Sequence, residues 1–295
     1  MEKLKGVIPP MITAFDEKGN MYEKGVQNLV GFLADKVQGI FICGTYGSGP
    51  LLTTEERKRV CEIAVETVEQ KIPIIVHVGS IDTDTAVELA VHAEKSGAKS
   101  IASLPPYYFS HTEENVLEYF KAIVNSVTIP VYLYNNPKTV SFPVTPKFLA
   151  RLKNEVGIKG VKDSSCDVML FSNFRRACGN DFDIVVGTGS VFLPSVPIGA
   201  QAFIPGMGNV FPELMGQLWK ACMEKDFESA YSYHTKVFDL QDAFKAVGPN
   251  LVCVQELLNY RGIDVGYPKT PYKNLSVDNK KQLIDHVESL GVKLR

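Results

Sequence analysis

Lys162 is the residue of this chain whose type and position best suit covalent chemistry. It directly follows an apolar run that ends at Val161, and the alternation of side chains along a strand puts it on the same face as Gly160. A Gly at that position would leave room for a long side chain. Burial lowers the pKa of an amine and makes it a better nucleophile, which suits a lysine that forms a Schiff base with a ketone. On spacing alone, an ion pair with Asp163 is the more ordinary interpretation.

Two further segments carry groups that complement such an amine. Tyr134 ends the apolar run immediately before that of Lys162, and a phenol can relay a proton or donate to a carboxylate. Residues 44–49, here called the glycine loop, are rich in backbone N–H groups and include the hydroxyl of Thr45, which suits a small anion such as a carboxylate. Tyr134 also fits a core position, as Tyr132 does.

A repeated strand–helix pattern would bring these groups together. Short apolar runs rich in β-branched residues recur along the chain, each followed by an amphipathic segment. They span residues 6–12, 39–43, 72–78, 100–104, 129–134, 158–161, 182–186 and 200–204. Their nearly continuous apolar character is typical of parallel strands buried on both faces. About eight repeats, spaced by roughly 20–35 residues, predict an α/β fold, the (β/α)₈ TIM barrel, with a doubly wound open sheet as the rival.

Helix starts and the end of the repeat define the predicted organisation. Helices are predicted to open at Thr54, Thr112 and Thr145, the last with Pro146 at its first position. After about Phe211 no strand pattern remains, and a long helical pattern covers residues 241–260. We expect the barrel to span residues 1–224 and a helical extension, residues 225–295, to pack on the barrel rather than form a separate domain.

Composition excludes several classes of function. Of 295 residues, 45% are apolar, and the net charge is −2, so nothing draws the chain electrostatically to nucleic acid or to an anionic membrane. No apolar run approaches the ~20 residues of a membrane helix, and no signal peptide is visible. The six cysteines form no C-x-x-C pair and are typical of reduced thiols, so we expect a cytoplasmic protein.

Nucleotide and metal motifs fail in detail. Gly44 and Gly49 have the spacing of a P-loop, but Pro50 follows where lysine is needed. Gly187-Thr188-Gly189 begins like a dinucleotide fingerprint, but Phe192 stands where the third glycine belongs. The five histidines form no zinc-binding pattern. We therefore expect no nucleotide and no metal site.

The residues at the strand ends, taken together, resemble those of the dihydrodipicolinate synthase / N-acetylneuraminate lyase family. These are pyruvate-dependent class I aldolases built on a (β/α)₈ barrel. The likeness covers nearly the whole chain. Its segments are residues 6–15, Gly44-Thr45-Tyr46-Gly47, Pro106-Tyr107-Tyr108, Tyr134-Asn135-x-Pro137, Gly160-Val161-Lys162-Asp163 and residues 261–269.

The resemblance implies a role for each matching position. Lys162 would form the imine with pyruvate, Tyr134 would shuttle protons, and Thr45 would link that phenol to Tyr108 of a neighbouring subunit. The glycine loop would bind the pyruvate carboxylate. The implied substrate-binding residues are Gly44, Tyr46, Gly47, Thr139, Gly187, Gly189 and Ile204. The family further implies no metal or organic cofactor, a 2-oxo acid and an aldehyde as substrates, and a homotetramer built as a dimer of dimers.

Departures from the family pattern bear on the substrate. Thr139 stands where dihydrodipicolinate synthases carry an arginine, and Gly189 stands near the acidic residue of sialic acid lyases. Residues 44–50 and Tyr267-Pro268 are most similar to archaeal 2-keto-3-deoxygluconate aldolases, although Tyr46 replaces a threonine of their carboxylate site. The resemblance thus implies a lyase for a 2-keto-3-deoxy sugar acid. The alternatives are a dihydrodipicolinate synthase, which condenses pyruvate with aspartate semialdehyde, an N-acetylneuraminate lyase, a 2-keto-3-deoxy acid dehydratase, and an inactive barrel that binds a keto acid.

Overall fold

Eight parallel strands form the centre of the molecule, in a computed structural model that describes residues 3–292 and Leu294. The strands are β1 (Gly6–Val7), β2 (Ile40–Ile42), β3 (Ile74–His77), β4 (Ser100–Ser103), β5 (Val131–Asn135), β6 (Gly160–Asp163), β7 (Asp183–Val186) and β8 (Ala202–Phe203). Their order is β1-β8-β7-β6-β5-β4-β3-β2. The ring closes between its ends, where Met11 donates its N–H to Phe41 O at 2.8 Å. The predicted (β/α)₈ barrel is confirmed.

Helices follow the strands and surround the barrel. They are α1 (Glu23–Ala34), α2 (Thr54–Val68), α3 (Thr83–Ser96), α4 (Glu113–Ser126), α5 (Pro146–Arg151), α6 (Val168–Cys178), α7 (Phe192–Ser195), α8 (Pro212–Glu224), α9 (Phe227–Val247), α10 (Asn250–Tyr260) and α11 (Val277–Ser289). The predicted starts near Thr112 and Thr145 are confirmed, because both hydroxyls cap the helix that follows. In α2 the cap is Thr53, one residue earlier than predicted, and it forms a capping box with Glu56.

The apolar core has two parts, one between strands and helices and one inside the barrel. The inner cluster consists of Ile8, Phe41, Ile75, Ala102, Leu104, Tyr132, Tyr134, Val140, Val185, Ala202 and Ile204. Strand β6 contributes a glycine and a lysine to this interior, and the lysine pairs in register with Tyr134 of β5 and Val185 of β7, both in the inner cluster. The lysine therefore stands out against its surroundings.

Strand β6 extends further than the apolar pattern indicates. The predicted run ends at Val161, whereas the strand includes Lys162 and Asp163. Both pair with β5 on one side and with β7 on the other. Backbone hydrogen bonds between strands do not depend on side-chain polarity, so a polar residue that is paired on both sides continues the strand. Lys162 is thus part of the barrel wall.

The C-terminal helices differ from the predicted pattern at one point. The pattern over residues 241–260 predicts one helix, but the structure has two, α9 and α10, separated at Gly248-Pro249. Proline lacks the N–H that a continuing helix needs, which explains the break. The segment after α10 returns to the barrel, where Tyr267 donates its N–H to Phe15 O at 2.8 Å. Among the residues described, no helix is long and apolar enough to cross a membrane.

Candidate active site at the carboxyl ends of the strands

The Lys162 side chain is buried among aromatic rings inside the barrel. It is 4% exposed, and its Nζ lies 3.8 Å from the ring centroid of Phe41 and 3.9 Å from that of Tyr134. Within the part of the chain that the structure describes, no carboxylate forms an ion pair with this amine. Burial holds the pKa of Lys162 well below its ordinary value. The environment therefore favours the neutral form of the amine, which has a free electron pair.

Asp163 does not pair with Lys162, so the more ordinary interpretation of the sequence is wrong. Its Oδ1 accepts a hydrogen bond from Asn135 Nδ2 at 2.8 Å, and its Oδ2 accepts one from Ser165 Oγ at 2.8 Å. Successive residues of a strand point to opposite faces, so Asp163 lies on the outer side of the barrel wall when Lys162 lies on the inner side. The carboxylate accepts hydrogen bonds from Asn135 and Ser165 there and forms no ion pair with the amine.

Gly160 makes room for a tyrosine rather than for the lysine. A Cβ at this position would lie 2.4 Å from Cε1 of Tyr132. The Tyr132 hydroxyl donates to Asp183 Oδ2 at 2.9 Å, which fixes the ring inside the barrel. The expectation that this glycine provides space for Lys162 is therefore corrected: the space belongs to the neighbouring strand's aromatic ring.

The hydroxyl of Tyr134 is the centre of a polar cluster beside the amine. Tyr134 pairs in register with Lys162 across β5 and β6. Its hydroxyl lies 3.3 Å from Thr45 Oγ1, accepts a hydrogen bond from Asn136 Nδ2 at 3.2 Å, and is hydrogen-bonded to the Ser164 side chain. Burial raises the pKa of Tyr134, so the phenol keeps its proton at neutral pH. Such a hydroxyl can pass protons between hydroxyl groups.

Asn136 and Ser164 belong to this cluster, and sequence analysis does not single them out. Each directly follows the end of a strand, Asn136 that of β5 and Ser164 that of β6. The rule that chemistry gathers at the carboxyl ends of barrel strands would have found them. The rule does not say where a side chain points, and only the fold shows which of these side chains point toward Tyr134.

The glycine loop is packed so tightly that its backbone has little freedom. A Cβ at Gly49 would lie 1.9 Å from Cys43 O, and a Cβ at Gly47 would lie 3.0 Å from Met11 O. Thr13 Oγ1 donates to Gly47 O at 2.8 Å. These contacts explain why glycines recur in this loop and hold Thr45 against the phenol of Tyr134.

A buried histidine and a buried arginine stabilise the backbone next to the glycine loop, and no sequence pattern indicates them. His77 Nδ1 lies 3.2 Å from Cys43 O, and Leu104 N donates to its Nε2 at 3.4 Å. Burial and the nearby charge of Arg57 hold the pKa of His77 well below its ordinary value. The ring is therefore neutral, and its Nδ1–H donates to Cys43 O. Arg57 Nη2 donates to His77 O at 2.6 Å and Nη1 to Gly79 O at 3.0 Å, which fixes the end of β3.

The remaining predicted residues divide into near and distant ones. Ile204 lies in the same inner cluster as Tyr134. A Cβ at Gly187 would lie 2.0 Å from Ser164 Oγ, so this glycine adjoins the cluster. Thr139 is exposed, and its hydroxyl donates to Asn136 O at 3.3 Å.

Two predicted residues lie apart from the amine within a single chain. Gly189 faces α9, where its Cβ would lie 3.2 Å from Val237 Cγ1. Tyr108 is 88% exposed and packs edge-on against Phe109 at 5.0 Å between ring centroids. As for metals, the described residues contain no group of three or more His, Cys, Asp or Glu side chains that could hold an ion.

Comparison with known proteins decides the family. The model of the dihydrodipicolinate synthetase family matches residues 3–290. The chain belongs to this family. A 4-hydroxy-tetrahydrodipicolinate synthase of Desulfotalea psychrophila is 32% identical over 285 residues, which are 96% of this chain and 95% of the relative. A probable 2-dehydro-3-deoxy-D-pentonate aldolase, YjhH of Escherichia coli, is 32% identical over 277 residues, 92% of this chain and 91% of the relative.

Solved structures superpose closely on this chain. YagE of E. coli, a prophage protein crystallised with pyruvate, has a TM-score of 0.93 at 27% identity, covering 98% of this chain and 99% of its own. A catalytic lysine mutant of a Ruminococcus gnavus sialic acid aldolase has a TM-score of 0.94 at 26% identity, covering 99% and 98%. The predicted family and reaction class are confirmed: this family member is a lyase of the aldolase type.

Proposed function

We propose that this family member is a pyruvate-dependent lyase that forms a Schiff base through Lys162 and acts on a 2-keto-3-deoxy sugar acid. The observation that carries the proposal is the amine itself, buried 3.9 Å from the Tyr134 ring and lowered in pKa by burial. A nucleophilic lysine needs this environment, whereas a structural lysine needs a partner. The pentonate aldolase among the relatives favours the sugar-acid substrate.

The geometry supports each proton transfer of such a reaction. The electron pair of Lys162 Nζ attacks C2 of the 2-oxo acid, the C2 oxygen takes up protons and leaves as water, and a protonated imine remains. During cleavage Tyr134 accepts the proton of the C4 hydroxyl as it passes its own proton through Thr45 or Ser164 to water, while the C3–C4 electrons move into the imine as an enamine. Protonation at C3 and hydrolysis then release pyruvate and the aldehyde. The proposed reaction uses no metal and no organic cofactor.

Reductive trapping tests the imine directly. Incubation with pyruvate and borohydride should add one reduced pyruvate to the intact protein, located at Lys162 by peptide mass mapping. A Lys162→Met variant should take up none, and Lys159→Met, which changes an exposed lysine at the entrance to the same strand, should take up the normal amount. A folded wild-type protein without an adduct would overturn the proposal.

A dihydrodipicolinate synthase activity is the second candidate, because relatives with that name are equally similar at 32% identity. Against it, Thr139 offers only an exposed hydroxyl bonded to Asn136 O, where that activity would use a guanidinium to hold a second carboxylate in two hydrogen bonds. Products formed from pyruvate with glyceraldehyde, aspartate semialdehyde or N-acetylmannosamine separate these activities. Loss of water without carbon–carbon cleavage would identify a dehydratase, and pyruvate binding with no turnover an inactive barrel.

A homotetramer, built as a dimer of dimers, is the proposed assembly. Its support is the side chain of Tyr108, which is 88% exposed beside Phe109 at 61% and so is free to reach the Thr45–Tyr134 pair of a neighbour. Sedimentation should give the tetramer mass, and Tyr108→Phe should lose activity while it stays assembled. A fully active Tyr108→Phe enzyme would refute that placement. The cysteines are free and mostly buried, which supports the proposed cytoplasmic location.

A further inference from the structure

Tyr46 occupies a place in the glycine loop that the proposed chemistry does not use. Its neighbour Thr45 contacts the phenol of Tyr134, whereas the ring of Tyr46 stands on Gly206 in the segment after β8. A Cβ at Gly206 would lie 2.1 Å from Cζ of Tyr46 and 2.3 Å from its hydroxyl oxygen. Only a glycine at this position permits the observed placement of the ring.

The surface under the ring is itself rigid. Gly206 begins the turn Gly206–Asn209, and Asn209 is buried. Asn209 Nδ2 donates to Gly206 O at 2.8 Å and to Pro10 O at 3.0 Å, and its Oδ1 accepts from Ile12 N at 3.1 Å. The turn is therefore fixed to the segment that follows β1, and the Tyr46 ring packs on a turn that is held by hydrogen bonds.

The hydroxyl of Tyr46 connects the loop to a third element. It is hydrogen-bonded to the side chain of Asn250, the first residue of α10. Burial raises the pKa of Tyr46 to about 12, so the group remains a neutral hydroxyl over the physiological range. Tyr46 thus joins the glycine loop, the turn after β8 and the C-terminal helical extension.

We infer that Tyr46 is a positioning residue: its side chain, held between Gly206 and Asn250, orients the backbone N–H groups of the glycine loop toward the carboxylate of the 2-oxo acid. Through this contact α10 supports the affinity for that substrate. The inference rests on the proposed function. Donors held in place before a ligand arrives bind an anion without the loss of free energy that ordering a loose loop requires.

Kinetics of trapping tests the hydroxyl contact. Tyr46→Phe and Asn250→Ala each remove the bond, and each should raise the pyruvate concentration that half-saturates borohydride trapping by about three- to tenfold, the effect of one neutral hydrogen bond. The change in kcat should be smaller. The double variant should be no worse than either single one, because both changes remove the same contact.

A matched control separates this contact from general stability. Tyr22→Phe removes a different tyrosine hydroxyl that links the barrel to the C-terminal segment, where it donates to Asp264 Oδ2 at 2.8 Å. It should leave half-saturation unchanged even if the thermal midpoint falls. Equal effects of Tyr22→Phe and Tyr46→Phe on half-saturation, or none from Tyr46→Phe, would overturn the inference.

A suppression experiment tests the packing of the ring. Gly206→Ala should displace Tyr46 and weaken pyruvate binding by more than the loss of the hydroxyl does, and adding Tyr46→Ser should recover part of that loss because the clash disappears. If Gly206→Ala is misfolded by circular dichroism, the Gly206→Ala, Tyr46→Ser double variant should fold. Normal pyruvate binding by a folded Gly206→Ala variant would contradict the inference. If wild-type protein forms no adduct, the proposed function itself fails; normal wild-type trapping with unaffected variants refutes only the role of Tyr46.

Discussion

Lys162 and Lys269 both lie over aromatic rings, but within the described part of the chain only one of them has a carboxylate partner. Lys162 Nζ is 3.9 Å from the centroid of Tyr134, and Lys269 Nζ is 4.8 Å from that of Phe15. Lys269 also donates to Glu56 Oε1 at 2.8 Å and so ties the C-terminal segment to the start of α2. Lys162 has no such carboxylate among the residues described.

The difference shows how a fold buries one amine without a carboxylate partner and pairs another with one. A ring face contributes about 0.5–2 kcal/mol to holding a cation, whereas the effective penalty for burying an ion is several kcal/mol. At Lys162 burial is the larger effect, so its pKa falls. A partner carboxylate compensates at Lys269, and the residue becomes a link between two parts of the chain.

The largest difference between the two lysines is expected when each is replaced by arginine. Lys162→Arg keeps a cation but places no nucleophilic amine in the barrel, so turnover should fall by about 10⁴-fold or more, as when other enzymes lose a nucleophile. Lys269→Arg keeps a donor for Glu56 and should retain activity. Steady-state kinetics on the best substrate measures both, and measurable adduct formation by Lys162→Arg would show that another amine reacts.

Tyrosines on one strand offer a second contrast. Tyr134→Phe removes the proposed proton relay and should lower kcat by about 10²–10⁴-fold. Tyr132→Phe removes a hydroxyl that donates to Asp183 Oδ2, which keeps the hydrogen bond from Leu4 N. It should instead lower the free energy of unfolding by about 1–2 kcal/mol, the usual effect of losing one buried hydrogen bond. Kinetics and urea unfolding distinguish the two, and a catalytic defect confined to Tyr132→Phe would reverse their assigned roles.

The pH dependence of stability tests whether Lys162 is neutral. Because the folded pKa is below the unfolded one, the unfolded chain binds more protons between these values, and stability contributed by this residue rises with pH by about 1.4 kcal/mol per unit. The destabilising effect is fully present below the folded pKa and vanishes above the unfolded pKa. Lys162→Met should therefore be more stable than wild type near pH 7, with the gap closing toward pH 10.5; a constant gap would mean an unshifted amine.

The smallest effect is expected at the paired lysine. Lys269→Met should lower the free energy of unfolding by about 1 kcal/mol, because a pair in which the side chains are 16% and 22% exposed is partly screened by solvent. Borohydride trapping should be unchanged. A loss of trapping in this variant would show that the C-terminal segment influences the amine more than the contacts indicate.

Much of the fold follows from local patterns. The helices that are predicted to open near Thr54, Thr112 and Thr145 are present as α2, α4 and α5. Strand ends are less predictable, since β6 continues through Lys162 because both neighbours pair with it. The break at Pro249 was available from the sequence but is obscured by the helical pattern around it.

The candidate site is only partly predictable for a related reason. Lys162 and Tyr134 lie near the carboxyl ends of two consecutive strands, and consecutive strands of a parallel barrel lie side by side. To predict Asn136 and Ser164, one would have to know where a side chain points after its strand has ended. Arg57 lies on a helix and contacts the end of β3. Contacts of this kind depend on packing between distant parts of the chain.

The sequence alone determined the order of strands and helices, the placement of an amine and a phenol on adjacent strands, and the family, because periodicity and motifs are local properties. Only the tertiary structure placed the amine in a buried state that lowers its pKa. That state depends on which face of β6 Asp163 occupies and on which rings surround Lys162, and burial and distance are properties of the folded chain as a whole.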